Sequence, residues 1–461
     1  MPETGFVIFG FCEEGCMKRA RLIAAAAILA LCFMLGGVEA KASFYYPPDT
    51  DGELVVVIDP GHGGTNLGAD YNGFSEKEMN MIVANAMYEE LSKYDDITVY
   101  LTHTSSEDSM TIQSRADFAA SVNADFLFCL HFNMSPENKL FGSEVWVSAF
   151  GEENRQGYRF GMIQMETMRS MGLFLRGVKT RLNDQGSDYY GILRFCEEYG
   201  IASALVEHCH IDHDTDVPFC DEEADLIAFG KADATSAAKF FGLKSEALGV
   251  DYSQETHADL LSPGMLYAGS DTSDPDICTI EQAYIDREHN RVGINVTGCD
   301  YDSPMLYYAY SIDGGETFTP YLPWPDTDLI SGYSPDTFTF EAEIPDGVSP
   351  FFVVRAVNQY DRYKDSNLLT GFPVFTVTAD DALKDDTVDV PDNALVEDVS
   401  ENNGGAGFRA PEQKDVKRDR TFGDFLLICL VIVSVLFFTL LITNIIQAGK
   451  RRKKRKRNRK R

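Results

Sequence analysis

The alternation of strand-like and helix-like segments between Leu54 and Leu243 is the feature that most constrains the fold. The first segment, Leu54–Ile58, is a continuous apolar run, as expected for a strand covered on both faces. Further strands are predicted at 97–101, 125–131, 143–147 and 202–207, and helices at 78–93, 111–121, 155–171 and 221–241. This order predicts an α/β domain over 54–243, with a mixed, largely parallel sheet flanked by helices.

The sequence changes character between residues 277 and 378. Short alternating strands are predicted at 291–296, 305–312, 338–344 and 351–358, and Asp313-Gly314-Gly315 has the composition of a hairpin turn. The pattern predicts a small β-sandwich over 277–378, and its nearest resemblance is to the fibronectin type III architecture. Residues 379–423 are acidic and rich in glycine and asparagine, so we predict a flexible stalk there.

The N-terminal region carries an export signal over residues 1–42. Met17–Arg21 is basic, Leu22–Leu35 is apolar, and Ala40-Lys41-Ala42 offers small residues for cleavage. We expect translation to start at Met17 and a signal peptidase to cut after Ala42. A retained N-terminal anchor is the alternative, and either outcome exports the domains that follow.

The C-terminal region predicts a membrane span. Phe425–Thr443 contains no charged residue, and the uncharged run predicts a transmembrane helix over 425–446. A buried helix of a soluble domain is the alternative. The polybasic residues 447–461 predict a cytoplasmic tail, because Lys and Arg mark the cytoplasmic side. The expected protein is therefore a single-pass protein of the cell membrane with its α/β domain outside.

The charge distribution argues against nucleic acid as a partner. The chain has a formal net charge of −32, although eleven of its last twelve residues are Lys or Arg. Subtracting those eleven charges from −32 leaves −43 for the rest of the chain. A body this acidic repels phosphates, so the basic tail is expected to contact anionic lipid.

Four polar side chains fall where the strands of an open α/β sheet end, which is where such sheets bind ligands. His62 follows the first strand, Glu76 lies near the start of the next helix, and His131 and Glu207 close later strands. Two imidazoles and one carboxylate are a common ligand set for catalytic zinc, which acidifies a bound water. A further carboxylate can then move the proton to a departing amine.

Each of these residues also has a non-catalytic interpretation. A histidine at a strand end is often a hydrogen-bonded structural residue. Glu76 can be a first-turn charge that the helix dipole favours. Glu207 is harder to explain in this way, because an acid that closes an apolar strand needs a partner.

Several segments together resemble the catalytic domain of zinc N-acetylmuramoyl-L-alanine amidases: Val55–Gly64, Gly68-Ala69, Glu76–Asn80, Leu130–Asn133 and Ala204–Glu207. The resemblance covers 54–243. It implies that His62, Glu76 and His131 are zinc ligands, that Glu207 is the general acid/base, and that peptidoglycan is the substrate. Arg115 matches an arginine of structural value in the family.

The chain also departs from the family pattern. His208-Cys209-His210, with His213 nearby, stands where the family has Gly-Phe after the catalytic glutamate, and Phe132 replaces an alanine. We interpret these as changes in the groove wall and the histidine-rich stretch as a solvated polar loop, with a second metal site as the alternative.

The predicted function is zinc-dependent hydrolysis of the amide between N-acetylmuramic acid and L-alanine, for cell-wall remodelling. Two alternatives stay open. One is a wall-binding protein whose amidase domain is silent or needs an unidentified protein activator. The other is a metallopeptidase that cuts bonds within the stem peptide.

Overall fold

The computed structural model describes residues 53–255 and 268–376, which belong to one compact unit. The first described range forms a sheet with flanking helices. Its elements are β1 (Leu54–Pro60), β2 (Asp70–Tyr71), β3 (Phe74–Ser75), α1 (Glu76–Leu91), β4 (Ile97–Leu101), α2 (Ile112–Ser121), β5 (Phe126–Asn133), β6 (Ser143–Val147), α3 (Gly151–Met171), β7 (Leu175–Lys179), α4 (Gly191–Glu198), β8 (Ala202–His210), α5 (Glu223–Phe241), β9 (Lys244–Ser245) and β10 (Val250–Asp251).

Six of these strands form the central sheet, in the order β4-β1-β5-β8-β6-β7. Every neighbouring pair is parallel except β8 and β6, which are antiparallel. Helices α1, α3 and α5 pack against one face and α2 and α4 against the other, so β1 is covered on both sides. The predicted mixed, largely parallel α/β sheet is confirmed.

Among the elements of this domain longer than two residues, β7 and α4 were not predicted from the sequence. Strand β7 has the sequence Leu-Arg-Gly-Val-Lys, in which two charges and a glycine interrupt the apolar pattern, yet both charged side chains are buried. Helix α4 has only eight residues, too few to display a helical period. In both cases contacts from distant parts of the chain decide the conformation.

The second described range contains two antiparallel sheets. Its strands are β11 (Ile277–Asp286), β12 (Arg291–Cys299), β13 (Met305–Ser311), β14 (Leu322–Pro323), β15 (Thr337–Glu343), β16 (Val353–Asn358) and β17 (Tyr363–Asp365). The sheets β11-β12-β15 and β14-β13-β16-β17 share one hydrophobic core that includes Val292, Trp324 and Phe352. We call this two-sheet region, residues 277–365, the β-sandwich. Its likeness to fibronectin type III domains stays a prediction, as do the predicted domain limits.

The predicted membrane localisation and transmembrane helix need correction. Within residues 53–255 and 268–376, no helix is long and apolar enough to cross a membrane. The two long helices there, α3 and α5, carry charged residues such as Glu152, Arg169 and Lys239 among their apolar ones, as surface helices do. The segment predicted to span, 425–446, lies outside the described residues, as do the leader 1–42, the stalk 379–423 and the tail 447–461.

Helices α1 and α5 pack closely at Gly230, and we predict the effect on stability of a larger side chain there. A Cβ added there would overlap the carbonyl oxygen of Val83 and the Cβ of Ala86. Alanine favours a helix by about 1 kcal/mol over glycine, but overpacking costs about 1–3 kcal/mol. Because the obstructing atom belongs to the backbone, we expect Gly230→Ala to lower the free energy of unfolding by about 1 kcal/mol or more, measured by urea denaturation.

Gly269→Ala is the matched control, since its added Cβ would meet no atom within 4 Å. That variant is expected to unfold with the parent, within about 0.5 kcal/mol. An unchanged or raised denaturation midpoint for Gly230→Ala would show that the two helices can separate without loss.

Candidate metal centre

Three side chains predicted as metal ligands meet at the carboxyl edge of the sheet. Strands β1 and β5 are parallel neighbours, so the turn after β1 and the end of β5 lie side by side. His62 comes from that turn, His131 from β5, and Glu76 is the first residue of α1. One potential ligand atom from each residue lies within 4.8 Å of the others. Two imidazoles and a carboxylate so placed can hold a divalent cation.

The carboxylate of Glu76 lies between the two imidazoles. Its Oε2 is 3.1 Å from Nε2 of His62, and its Oε1 is 2.8 Å from Nδ1 of His131. The backbone N–H groups of Ala69 and Phe132 also donate to this carboxylate, at 2.6 and 3.2 Å. Burial disfavours its charge, but the hydrogen bonds from His131 and His62 outweigh burial and hold the pKa of Glu76 well below its usual range. Glu76 is therefore ionised, as a metal ligand must be.

Two glycines let the backbone pass close to these side chains. A Cβ on Gly61 would overlap the ring of His131, and a Cβ on Gly68 would overlap both Glu76 and His62. Gly68 has φ +72°, and His62 itself has φ 65°, a conformation that non-glycine residues seldom adopt. The Gly-rich turn is thus a consequence of the space that the three ligands need.

Buried contacts below the turn hold His62 in this conformation. The Arg115 guanidinium donates to the carboxylate of Asp59 at 2.8 Å, to the carbonyl of Pro60 at 2.6 Å and to the carbonyl of His62. On the other side, Nδ1 of His62 lies 3.1 Å from Oδ1 of Asn66. A partner on the second ring nitrogen is typical of metal-binding histidines, because it fixes the tautomer and the ring orientation.

The predicted general acid/base, Glu207, lies next to His62, Glu76 and His131, which we call the three-ligand group. On β8 it pairs with His131 of β5 on one side and with Glu144 of β6 on the other. Its carboxyl is buried and Oε2 has no hydrogen-bond partner. Burial raises the pKa of Glu207 well above its usual range, and the negative charges of Glu76 and Glu144 raise it further. Such a carboxyl can carry a proton near neutral pH.

The histidines after Glu207 are not a solvated loop. His208 is fully buried, with Nδ1 2.9 Å from the carbonyl of His131 and Nε2 2.8 Å from Oδ2 of Asp233. His210 is buried too, with Nδ1 3.2 Å from the carbonyl of Gly142. The solvated-loop interpretation is wrong for both residues. In the part of the chain that the structure describes, the three-ligand group is the one cluster with metal-binding geometry, so no second metal site is found.

The buried partners of His208 and Glu144 were not predicted from the sequence. Asp233 lies on the buried face of α5, among Phe229, Gly230 and Ala234, and an acid at that position signals a buried partner. Arg176 and Lys179 both contact Glu144, at 2.7 and 2.5 Å. Nothing in the short segment Leu175–Lys179 identified it as a strand that directs its charges inward.

A cleft of about 160 Å³ opens beside His62 and His131, two of the three predicted ligands. Apolar side chains line one part of it and the ligand imidazoles another: Met110, Ile112, Tyr190, Ile192 and Leu205, with His62 and His131. A larger cavity of about 450 Å³ lies where the β-sandwich meets the sheet domain, but none of the predicted site residues lines it. The small cleft is therefore the candidate reaction site.

Comparison with known proteins agrees with this geometry. Residues 56–239 match the family model described as N-acetylmuramoyl-L-alanine amidase. The N-acetylmuramoyl-L-alanine amidase CwlM of Bacillus licheniformis is 26% identical over 193 residues, which are 42% of this chain and 70% of that protein. Residues 56–239 are therefore similar to N-acetylmuramoyl-L-alanine amidases. The prediction that the protein is an enzyme of this class is confirmed.

Two further matches also lie within one part of the chain. The N-acetylmuramoyl-L-alanine amidase LytC of Bacillus subtilis (strain 168) is 30% identical over 125 residues, 27% of this chain and 25% of that protein. A solved N-acetylmuramoyl-L-alanine amidase from Clostridium difficile 630 is 21% identical, with a TM-score of 0.37 over 41% of this chain and 97% of that chain. The chain thus spans a quarter of LytC, and these matches describe the amidase domain rather than the whole protein.

The space around Gly68 gives a test of metal binding. We expect Gly68→Ala to weaken Zn²⁺ binding by about 10–100-fold, because the added Cβ displaces Glu76. Gly73→Ala is the matched control: Gly73 also has positive φ, +90°, but an added Cβ would meet no atom within 4 Å. Calorimetric titration with Zn²⁺ compares the two variants with the parent. Equal affinities for both variants would rule out the three-ligand group as the metal site.

Proposed function

We propose that this protein is a zinc-dependent peptidoglycan amidase that hydrolyses the amide between N-acetylmuramic acid and L-alanine. The observation that carries the proposal is the convergence of His62, Glu76 and His131 beside the buried carboxyl of Glu207, whose Oε2 has no hydrogen-bond partner. The names of the relatives support the substrate, since CwlM and LytC are N-acetylmuramoyl-L-alanine amidases.

The donor set fits zinc. Two neutral imidazoles and one carboxylate leave a fourth position of a tetrahedral site open, the usual arrangement in catalytic zinc sites. When bound, zinc polarises a carbonyl oxygen and lowers the pKa of a coordinated water. The chain supplies an ionised Glu76 and a His62 ring oriented by Asn66, so little rearrangement is needed to form the site.

Glu207 is proposed to move the proton. A raised pKa lets its carboxyl hold a proton near neutral pH and release it to the departing amine of L-alanine. The negative charge of Glu76 is one cause of the raised pKa of Glu207. A divalent cation held by His62, Glu76 and His131 would offset that charge and lower the pKa of Glu207 again. Oε2, which has no partner, is the atom available for this transfer.

The cleft orients the substrate. Its volume of about 160 Å³ suits the scissile amide and a small side chain, so the sugar and the rest of the peptide would lie outside it. Exposed Ile112, together with Met110 and Tyr190, provides an apolar wall for the methyl group of L-alanine.

Digestion of purified peptidoglycan by the full chain, with Zn²⁺ or with a chelator, tests the reaction. We expect soluble stem peptides with a free L-alanine amino terminus, released only when Zn²⁺ is present, and identified by mass spectrometry. Fragments cut within the stem peptide would instead indicate a metallopeptidase. No release with any divalent metal would indicate a silent or activator-dependent wall-binding protein.

Replacement of Glu207 by glutamine separates proton transfer from metal binding. Glu207→Gln keeps the shape of the side chain but cannot exchange a proton, so we expect kcat to fall by about 10²–10⁴-fold. Zinc content, measured by atomic emission, should remain that of the parent. Glu198→Gln, at an exposed position of α4, is the control and should leave kcat unchanged. Parental turnover by Glu207→Gln would exclude Glu207 as the acid/base.

A further inference from the structure

We propose that the β-sandwich is part of the amidase site, because its residues Tyr307 and Asp361 hold Arg176 against Glu144 and so keep Glu207 free. The inference rests on the function proposed above. It assigns Arg176 and Asp361 as positioning residues that act through Glu144 and Glu207.

Glu144 and Glu207 are neighbours in the central sheet. These residues are direct partners in the antiparallel β6–β8 pair, so their side chains lie side by side on one face. Glu144 is fully engaged. Its Oε2 contacts Nε of Arg176 at 2.7 Å and Nζ of Lys179 at 2.5 Å, and its Oε1 accepts from Trp146 at 2.9 Å. Glu207, by contrast, has one oxygen without a partner.

Arg176, which contacts Glu144, is buried, with 1% of its side chain exposed. Nη1 donates to the hydroxyl of Tyr307 at 2.8 Å, and Nη2 donates to both carboxylate oxygens of Asp361, at 3.0 and 2.8 Å. The Tyr307 hydroxyl in turn donates to the carbonyl of Phe141. Two of the three groups that hold this guanidinium therefore come from the β-sandwich.

The β-sandwich docks on β7, the edge strand of the sheet. The side chain of Gln359 donates from Nε2 to the backbone carbonyl of Arg176 at 3.1 Å. The backbone carbonyl of Gln359 accepts from Nζ of Lys179 at 3.0 Å. Around these bonds an apolar cluster, Phe141, Leu306, Tyr307 and Val357, closes the contact. The turn at 358–361 thus covers a strand edge that would otherwise be open.

Charge explains why this contact matters for the reaction. Glu144 and Asp361 balance Arg176 and Lys179, two negative and two positive groups in one largely buried cluster. Without the charge of Asp361, the guanidinium of Arg176 is less tightly held, and the unpaired Oε2 of Glu207 is the open acceptor near it. An ion pair between Arg176 and Glu207 would remove the free carboxyl that proton transfer needs.

Asp361→Asn in the full chain tests the proposal. Asp361 has φ 62°, a conformation that asparagine also adopts, and asparagine keeps Oδ1 while losing the charge. We expect kcat on peptidoglycan to fall about tenfold, with KM and zinc content unchanged. Asp328→Asn is the matched control. It removes the charge from an exposed cross-domain ion pair, Asp328 with Arg169 at 3.5 Å, that does not touch Arg176, and it should retain the parental kcat.

Trp146 provides a readout that does not need activity. Its Nε1 donates to Glu144, and Nζ of Lys179 lies 4.8 Å from its ring centroid. The chain has two tryptophans, so in a Trp324→Phe background Trp146 is the only one. Asp361→Asn should shift the Trp146 emission in this background, whereas Asp328→Asn should not.

The outcomes separate this inference from the proposed function. If the parent digests peptidoglycan, and Asp361→Asn keeps both the parental kcat and the parental Trp146 emission, the β-sandwich contact is only structural and the inference is overturned. A parent without amidase activity would refute the proposed function, and the Trp146 emission would still decide whether Asp361 controls the environment of Glu144. Tyr307→Phe, which retains the aromatic packing, checks the result and should lower kcat in the same direction.

Discussion

The antiparallel pairing of β6 with β8 brings two carboxylates, Glu144 and Glu207, side by side in a buried sheet. Two negative charges are unstable in such surroundings unless cations compensate at least one of them. Arg176 and Lys179 compensate Glu144, whose pKa is held well below its usual range despite burial. Glu207 is left without an ion-pair partner, and its pKa rises. The cations themselves come from β7, and the β-sandwich completes their coordination.

Two carboxyl groups of the site therefore have opposite acid–base properties. Hydrogen bonds from two imidazoles and two backbone amides keep Glu76 ionised, as suits a metal ligand. Burial and neighbouring negative charge raise the pKa of Glu207 well above its usual range, as suits the acid/base role proposed for it. Environments that push two pKa values apart are how one active site supplies both kinds of chemistry. The division of roles follows from contacts rather than from residue type.

Much of the catalytic face could be predicted from the sequence. Strands β1, β5 and β8 are long apolar runs, and parallel strands place the residues at their carboxyl ends along one edge. The positions of His62, His131 and Glu207 follow from that rule. The surroundings of these residues could not be predicted. His208 looks like a surface histidine, because its partner Asp233 lies 25 residues further along the chain. The membrane localisation inferred from the terminal segments is not supported by any described helix.

The sequence by itself determined the α/β class, the order of its central elements and the four residues at the carboxyl edge, because hydrophobic periodicity and strand ends are local properties. Only the tertiary structure decided that β6 runs antiparallel to β8, that β7 exists, and that Arg176 reaches both Glu144 and Asp361. Asp361 is 185 residues away from Arg176 in the chain. A buried ion pair over that separation depends on how two domains dock, and docking leaves no periodic signal in the sequence.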